Sequence, residues 1–77
     1  MKRRKKKHNK IYKIIGNNIK TKRLEMNISQ EELAFRVSST RNYIGCVERG
    51  EKAASTAFLY DVSCILNCSL QHLFDGL

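Results

Sequence analysis

The clearest pattern of apolar and polar positions lies in residues 29–50, SQEELAFRVSSTRNYIGCVERG. In its first half, Leu33 and Val37 fall on one face at helical spacing. In its second half, Ile44 and Val47 do the same, and only a few polar residues separate the two runs. The pattern therefore predicts two short helices joined by a tight turn.

Polar residues at the ends of both runs support these helix boundaries. Ser29 followed by Glu32 is a capping box, in which hydroxyl and carboxylate each satisfy a free backbone N–H group. Thr40 can cap a second helix over 41–48, and Gly50 suits the left-handed residue that closes a helix. Two helices so close in sequence must cross steeply, as in the helix-turn-helix of DNA-binding proteins.

Amphipathic helices are predicted on both sides of this unit. Isoleucines recur every fourth residue in a first helix over about 11–26, and Asn27 suits its left-handed closing position. Ser55 and Ser69 are expected to cap a fourth and a short fifth helix. The inward residues of these two helices are Leu59, Val62 and Leu66, and then Leu70, Leu73 and Phe74. With no proline and no strand signal, the sequence predicts an all-α bundle of five helices.

Basic residues are concentrated at the N-terminus. The chain has 15 Lys and Arg residues against 7 Asp and Glu, and seven of the basic ones lie in the first ten positions: Lys2, Arg3, Arg4, Lys5, Lys6, Lys7 and Lys10. Residues 11–77 hold eight basic and seven acidic residues, a net charge of only +1. We therefore expect a disordered basic arm over 1–10 that binds a polyanion, and a folded domain over 11–77. A merely solubilising tail is the alternative.

Length and composition argue against several other classes of protein. Seventy-seven residues form one small domain, and no nucleophile with its base can be assembled, so we expect no enzymatic activity. No apolar run is long enough to span a membrane, and three cysteines without a disulfide framework indicate the cytoplasm. Cys64, Cys68 and His72 resemble a metal cluster, but they straddle a predicted turn and lack a fourth ligand. Neither a metal nor another cofactor is expected.

From Ile15 to Phe74 the chain resembles, without a gap, the Cro and phage-repressor type of helix-turn-helix, also called the XRE family. The motifs that carry the resemblance are IGNNIKTKR, ISQEELAFRV, STRNYI, VERGEK and SLQHLF. The resemblance implies a five-helix, lambda-repressor-like domain that binds pseudo-palindromic operator DNA as a homodimer. It also implies that Arg23 and Glu48 form a largely buried ion pair that orients the recognition helix.

The recognition helix of such a unit presents its N-terminal residues to the base edges of the major groove. Arginine can donate twice to guanine, and asparagine can pair with adenine, so Arg41 and Asn42 are the predicted base-reading residues. Cys46, one turn later, is a candidate for contact with a thymine methyl group. Gly45 is interpreted as permitting close approach of the helix to DNA. The alternatives are phosphate contacts for Arg41 and Asn42, and a tolerated weakness at Gly45.

Phosphate contacts are predicted from several elements. Gln30 lies at a helix start, where its side chain and nearby N–H groups can meet a phosphate, as the matching glutamine does in the family. Further candidates, each of which could instead be solvated, are Asn17, Lys20, Arg36, Tyr43, Arg49 and Lys52. Tyr43 could also pack its ring on the first helix.

The leading interpretation is a sequence-specific transcription regulator, a repressor, that binds double-stranded DNA as a homodimer. The apolar residues beyond the core stripes are Phe58, Tyr60, Ile65 and Leu77. Some of them, with the fifth helix, are the predicted dimer surface, and a core wider than these stripes is the alternative. RNA polymerase, contacted through Glu31, is a further candidate partner. Two alternatives stay open: an antitoxin or other interaction module with a cognate toxin and secondary DNA binding, and a nonspecific nucleic-acid-binding protein.

Overall fold

In the computed structural model, residues 8–77 are described, and they form four α-helices and one 3₁₀-helix. The α-helices are α1 (Asn9–Glu25), α2 (Gln30–Arg36), α3 (Arg41–Glu48) and α4 (Thr56–Ile65), and the 3₁₀-helix spans Gln71–Phe74. No strand occurs between residues 8 and 77, so the predicted all-α class is confirmed for this part of the chain. The predicted count of five helices is not, because the last element is a single 3₁₀ turn.

Hydroxyl caps determine where the last three α-helices begin. Ser29, Thr40 and Ser55 accept hydrogen bonds at 2.9, 3.0 and 3.1 Å from backbone N–H groups three residues further on. Each bond satisfies a donor that a helix start leaves without an intrahelical partner. Ser69 accepts a similar bond at 3.1 Å ahead of the 3₁₀-helix. The three predicted caps of α2, α3 and α4 are therefore confirmed, whereas Leu70, not Ser69, occupies the cap position of the 3₁₀-helix.

Only half of the predicted capping box at α2 forms. Glu32 donates its backbone N–H to Ser29, but its carboxylate turns away and accepts a hydrogen bond from Arg36 Nε at 2.7 Å. Arg36 lies one helical turn further on, where a pair of opposite charges is favourable. The prediction that the Glu32 side chain caps α2 is wrong, because this ion pair competes for the same carboxylate.

Left-handed residues follow the α-helices. Asn27 (φ 59°) and Gly50 (φ 77°) occupy the closing positions predicted for α1 and α3, and Asn67 (φ 56°) follows α4. Ser38 (φ 57°) adopts the same conformation in the turn between α2 and α3. The sequence did not predict this, because serine is an uncommon residue in the left-handed region.

The first helix begins two residues earlier than predicted. It starts at Asn9, so Lys10 lies in the helix and not in the basic arm. Ile19 is buried and Ile15 is half-buried, whereas Ile11 is 39% exposed at the edge of the expected apolar stripe. The remaining arm residues, 2–7, lie outside the described part of the chain.

The core draws at least one buried side chain from each of the five elements. Its members are Ile19, Leu33, Ala34, Ile44, Val47, Leu59, Val62, Leu66 and Leu73. Every inward residue predicted for α4 is among them. Phe58 and Ile65 pack partly against this core, so the core is wider than the predicted stripes. Tyr60 and Leu77 remain 57% and 61% exposed.

The 3₁₀-helix is fastened to α1 by one asparagine. Asn18 Nδ2 donates to the backbone carbonyls of Leu73 and Asp75 at 2.9 and 2.8 Å. Leu73 is fully buried beneath this contact. The C-terminal turn is therefore part of the folded body that supports the other helices.

Two glycines bring α1 and α3 unusually close together. A Cβ atom added to Gly16 would lie 2.6 Å from the Glu48 carbonyl oxygen and closer still to that of Val47. A Cβ atom added to Gly50 would lie 2.7 Å from Lys13 Cα. No side chain fits in either gap. Gly16, which has no side chain, is what allows α3 to pack closely on α1.

Candidate nucleic-acid interface

A buried ion pair holds the C-terminal end of α3. Arg23 Nε donates to Glu48 Oε2 at 2.7 Å, and Arg23 Nη2 donates to Glu48 Oε1 at 3.1 Å. The two side chains are only 7% and 2% exposed. Arg23 Nη1 also donates to the Ile28 carbonyl at 2.9 Å. One guanidinium group therefore connects α1, the turn before α2, and α3.

Gln30 extends this ion pair into a cluster of three side chains, Arg23, Glu48 and Gln30. Its Nε2 atom donates to Glu48 Oε1 at 3.0 Å. An amide nitrogen carries two N–H donors, so the second remains free for an external acceptor. Within residues 8–77, every buried side-chain nitrogen and oxygen atom has a hydrogen-bond partner. The start of α2 and the end of α3 are thus held in one fixed relation.

The N-terminal end of α3 is solvent-exposed. Thr40 caps the helix, and the side chains of Arg41 and Asn42 that follow are both exposed. Neither side chain makes a hydrogen bond or ion pair with another residue of the described chain. Their donors and acceptors are therefore available to a ligand that approaches α3 from its N-terminal end.

The outer surface of α3 carries a second arginine near its C-terminal end. Arg49 Nε and Nη2 donate to the two carboxylate oxygens of Glu51 at 2.8 and 3.2 Å, and Nη2 lies 3.7 Å from Cys46 Sγ. A Cβ atom on Gly45 would lie 3.0 Å from Arg49 Nη1. The guanidinium group therefore lies over Gly45 and Cys46. The hydrogen bond from Arg49 lowers the pKa of the Glu51 carboxyl, which keeps it ionised.

The other predicted phosphate-contacting residues differ in their exposure and in their partners. The Tyr43 ring packs edge-to-face on Phe58 of α4, with ring centroids 5.2 Å apart. Arg36 is paired with Glu32. Asn17, Lys20 and Lys52 are exposed. Glu51 had no role in the sequence-based prediction, because only the left-handed turn at Gly50 brings it back to Arg49.

The cysteines form no metal centre in the structure. Cys64 is exposed and Cys68 is half-buried, and burial raises the pKa of the Cys68 thiol. His72 lies beside Asp75 and not beside the cysteines, with 3.4 Å between Nδ1 and Oδ2. Across residues 8–77, no three His, Cys, Asp or Glu side chains are arranged to hold a metal ion. No helix in this range is long and apolar enough to cross a bilayer.

The fold and the exposed α3 define a helix-turn-helix DNA-binding protein. A sequence model of the helix-turn-helix family matches residues 19–73, which is most of the chain. The chain belongs to this family and is of the XRE type. The resemblance seen in the sequence is thereby confirmed. Members of this family are DNA-binding transcription regulators and not enzymes.

Two solved structures share the fold. The restriction-modification controller protein C.AhdI from Aeromonas hydrophila superimposes with a TM-score of 0.82 and 30% sequence identity, over 87% of this chain and 97% of that one. A hypothetical transcription factor, NHTF, from Neisseria has a TM-score of 0.79 and 23% identity, over 83% of this chain and 74% of that one. Among curated protein sequences, no significant match was found.

Proposed function

We propose that this protein is a cytoplasmic transcription repressor that binds a pseudo-palindromic operator as a homodimer, with α3 in the major groove. The observation that carries the proposal is the asymmetry of α3. Its C-terminal end is fixed by the buried pair of Arg23 and Glu48, while Arg41 and Asn42 at its N-terminal end are exposed and unpaired. A helix held in this way can insert its free end between the phosphate backbones. The similarity to a controller protein supports a regulatory role.

The cluster of Arg23, Glu48 and Gln30 would position the recognition helix on DNA. Glu48 accepts hydrogen bonds from both Arg23 and Gln30, so the start of α2 and the end of α3 move as one unit. If the free N–H of Gln30 donates to a phosphate, that contact also determines how deeply α3 enters the groove. Arg41 would then donate to guanine O6 and N7, and Asn42 would pair with adenine. Cys46 would contact a thymine methyl group.

We propose that the second copy binds against the exposed apolar residues near the C-terminus. Tyr60 and Leu77 are large and largely exposed, whereas Phe58 and Ile65 are partly used by the core. A two-fold dimer of helix-turn-helix proteins contacts half-sites about 34 Å apart, one turn of DNA. The proposed operator is therefore a pair of inverted half-sites with that spacing.

A protein partner is a second candidate function, and one observation favours it. Phe35 of α2 is 80% exposed, the most exposed of the large apolar side chains between residues 8 and 77. Glu31, one turn earlier, is exposed as well. RNA polymerase or a cognate toxin could bind here. A heteromeric complex that survives size-exclusion chromatography would establish this function, with DNA binding then secondary.

Replacing Arg41 with alanine is expected to relax one operator position. Loss of a bidentate contact to guanine should reduce discrimination at that base pair by about 1–3 kcal/mol and leave the other positions unchanged. The measurement is selection of bound duplexes from a random pool, followed by titration of single-base variants. Lys22→Ala is the matched control, because it removes one positive charge from α1, where Lys22 pairs with Glu25 and has no predicted contact with DNA. An equal loss of affinity on operator and scrambled duplexes would count against base reading by Arg41.

Removing residues 1–7 is expected to weaken DNA binding in a salt-dependent way. This segment holds six Lys and Arg residues, and α1 begins only at Asn9, so the truncation leaves the helix intact. Each neutralised phosphate contributes about 0.9 to the slope of log affinity against log salt, so the slope should fall by up to about 5. The ratio of operator to scrambled affinity should barely change. Unchanged slopes would show that the arm does not bind phosphates, and equal affinities of the full chain for both duplexes would favour nonspecific binding.

A further inference from the structure

Arg49 lies on the same row of α3 as the predicted base reader. Arg41, Gly45 and Arg49 follow one another at intervals of four residues, which places them along one side of a helix. Gly45 has no side chain, and the Arg49 guanidinium group folds back into the space above it. From the sequence, Arg49 is a candidate for contact with a phosphate. In the structure, the Arg49 guanidinium group lies over the middle of the recognition helix.

Glu51 occupies only one edge of this guanidinium group. Arginine has five N–H donors in a planar fork. The two oxygens of Glu51 accept from Nε and Nη2 at 2.8 and 3.2 Å, which uses the side edge of the plane. Along the other edge, between Nη1 and Nη2, the only acceptor in residues 8–77 is Cys46 Sγ at 3.7 Å. Sulfur is a weak acceptor that a nitrogen or oxygen acceptor can replace.

We propose that Arg49 reads a guanine through this second edge and that Glu51 is the positioning residue that presents it. The inference rests on the proposed function, since it needs α3 in the major groove. Guanine offers O6 and N7 as two neighbouring acceptors, which match two parallel donors of a guanidinium group. A side chain already held by two hydrogen bonds loses less freedom when it binds. Arg49 and Glu51 therefore form a specificity element in addition to Arg41 and Asn42.

The charges favour a base edge over a phosphate as the partner of Arg49. A phosphate contact gains its affinity from net positive charge. Here the carboxylate of Glu51 balances the guanidinium group, and it would repel a nearby phosphate. The pair is accessible, since the two side chains are 56% and 53% exposed. The hydrogen bonds to Glu51 hold the planar Arg49 guanidinium group in one orientation. N–H donors with a fixed orientation can distinguish one base from another.

The test compares base preference in four proteins: wild type, Glu51→Gln, Arg49→Lys and the control Glu25→Gln. Glu25 is an exposed carboxylate at the end of α1 that pairs with Lys22, so its loss changes the net charge equally without touching Arg49. The operator is first defined by selecting duplexes from a random pool with the wild-type protein. Each guanine in it is then replaced, one at a time, by another base or by 7-deazaguanine, which lacks the N7 acceptor. Melting curves of all four proteins verify that they are folded.

At one guanine of the operator, the preference for guanine over another base is expected to fall roughly tenfold in Glu51→Gln and in Arg49→Lys. Glu25→Gln should behave as wild type. At the same guanine, 7-deazaguanine should weaken wild-type binding and leave Arg49→Lys binding unchanged. Glu51→Gln should bind scrambled DNA at least as well as wild type, because a negative charge is lost.

Equal behaviour of Glu51→Gln and Glu25→Gln would overturn the positioning role of Glu51. A uniform loss on all sequences with Arg49→Lys would identify a phosphate contact. If wild type selects no sequence at all, the proposed function fails and the inference fails with it.

Discussion

Replacing Glu48 with alanine is expected to lower the free energy of unfolding by about 3–5 kcal/mol, because it leaves a buried arginine without its counter-charge. Arg23 would keep its bond to the Ile28 carbonyl but lose both bonds to the carboxylate, and Gln30 would lose its partner as well. The free energy of unfolding of a small domain is itself small, so a loss of this size is a large part of it. In a thermal melt followed by circular dichroism, the Tm should fall by at least roughly 12 °C.

Two further variants test the physical reason for this loss. Glu32→Ala removes an exposed carboxylate of the same type, whose ion pair with Arg36 should contribute less than about 1 kcal/mol. The double variant Arg23→Met with Glu48→Leu removes both charges and should be more stable than Glu48→Ala, because no charge is then left buried alone. A Glu48→Ala protein that melts like wild type would refute the stabilising role of the pair. Loss of DNA preference without loss of stability would show that the pair orients α3 but does not stabilise the domain.

Replacing Gly16 with alanine is expected to destabilise the domain by roughly 2 kcal/mol or more. The new methyl group would lie 2.6 Å from a backbone oxygen of α3, and a backbone atom cannot move aside as the tip of a side chain can. Overpacking of this kind costs about 1–3 kcal/mol, and more where the neighbour is rigid. The gain in helix propensity from glycine to alanine, about 1 kcal/mol, offsets only part of it. Chemical denaturation provides the measurement.

Gly45→Ala is the matched control, since it places the same methyl group in the middle of another helix. The nearest atom there is Arg49 Nη1 at 3.0 Å, the far end of a flexible side chain. This variant should be neutral or more stable by up to about 1 kcal/mol. Gly16→Ala should therefore lower the free energy of unfolding, whereas Gly45→Ala should not. If both stabilise, the close crossing of α1 and α3 does not limit the packing of these helices.

Local chemistry explains why much of the helix-turn-helix could be predicted. The caps at Ser29, Thr40 and Ser55 depend on N–H groups three residues away. The left-handed residues Asn27 and Gly50 depend on the helix turn just before them. Such interactions are complete within a few residues, so the type and spacing of the side chains suffice to find them. The exposed Arg41 and Asn42 follow directly from the position of the cap.

The sequence-based predictions were wrong where two nearby groups compete for one side chain, or where the end of a helix depends on weak sequence signals. Glu32 can bond either to the cap or to Arg36, and the sequence pattern does not indicate which bond is stronger. The C-terminal segment has a cap and apolar spacing, yet only Gln71–Phe74 is helical, as a 3₁₀ turn held by Asn18. Helix ends are the least reliable part of such predictions, because short segments gain little from their own hydrogen bonds.

By itself, the sequence determined the all-α class, the family, the starts of α2, α3 and α4, and the exposed tip of α3, because these depend on neighbouring residues and on apolar periodicity. Only the tertiary structure decided the roles of Gly16 and Asn18. Gly16 matters because of backbone atoms more than 30 residues away, and Asn18 matters because it donates to backbone carbonyl groups 55 and 57 residues further on. Contacts of this kind depend on how elements are placed in space, and no local pattern of residue types specifies that placement.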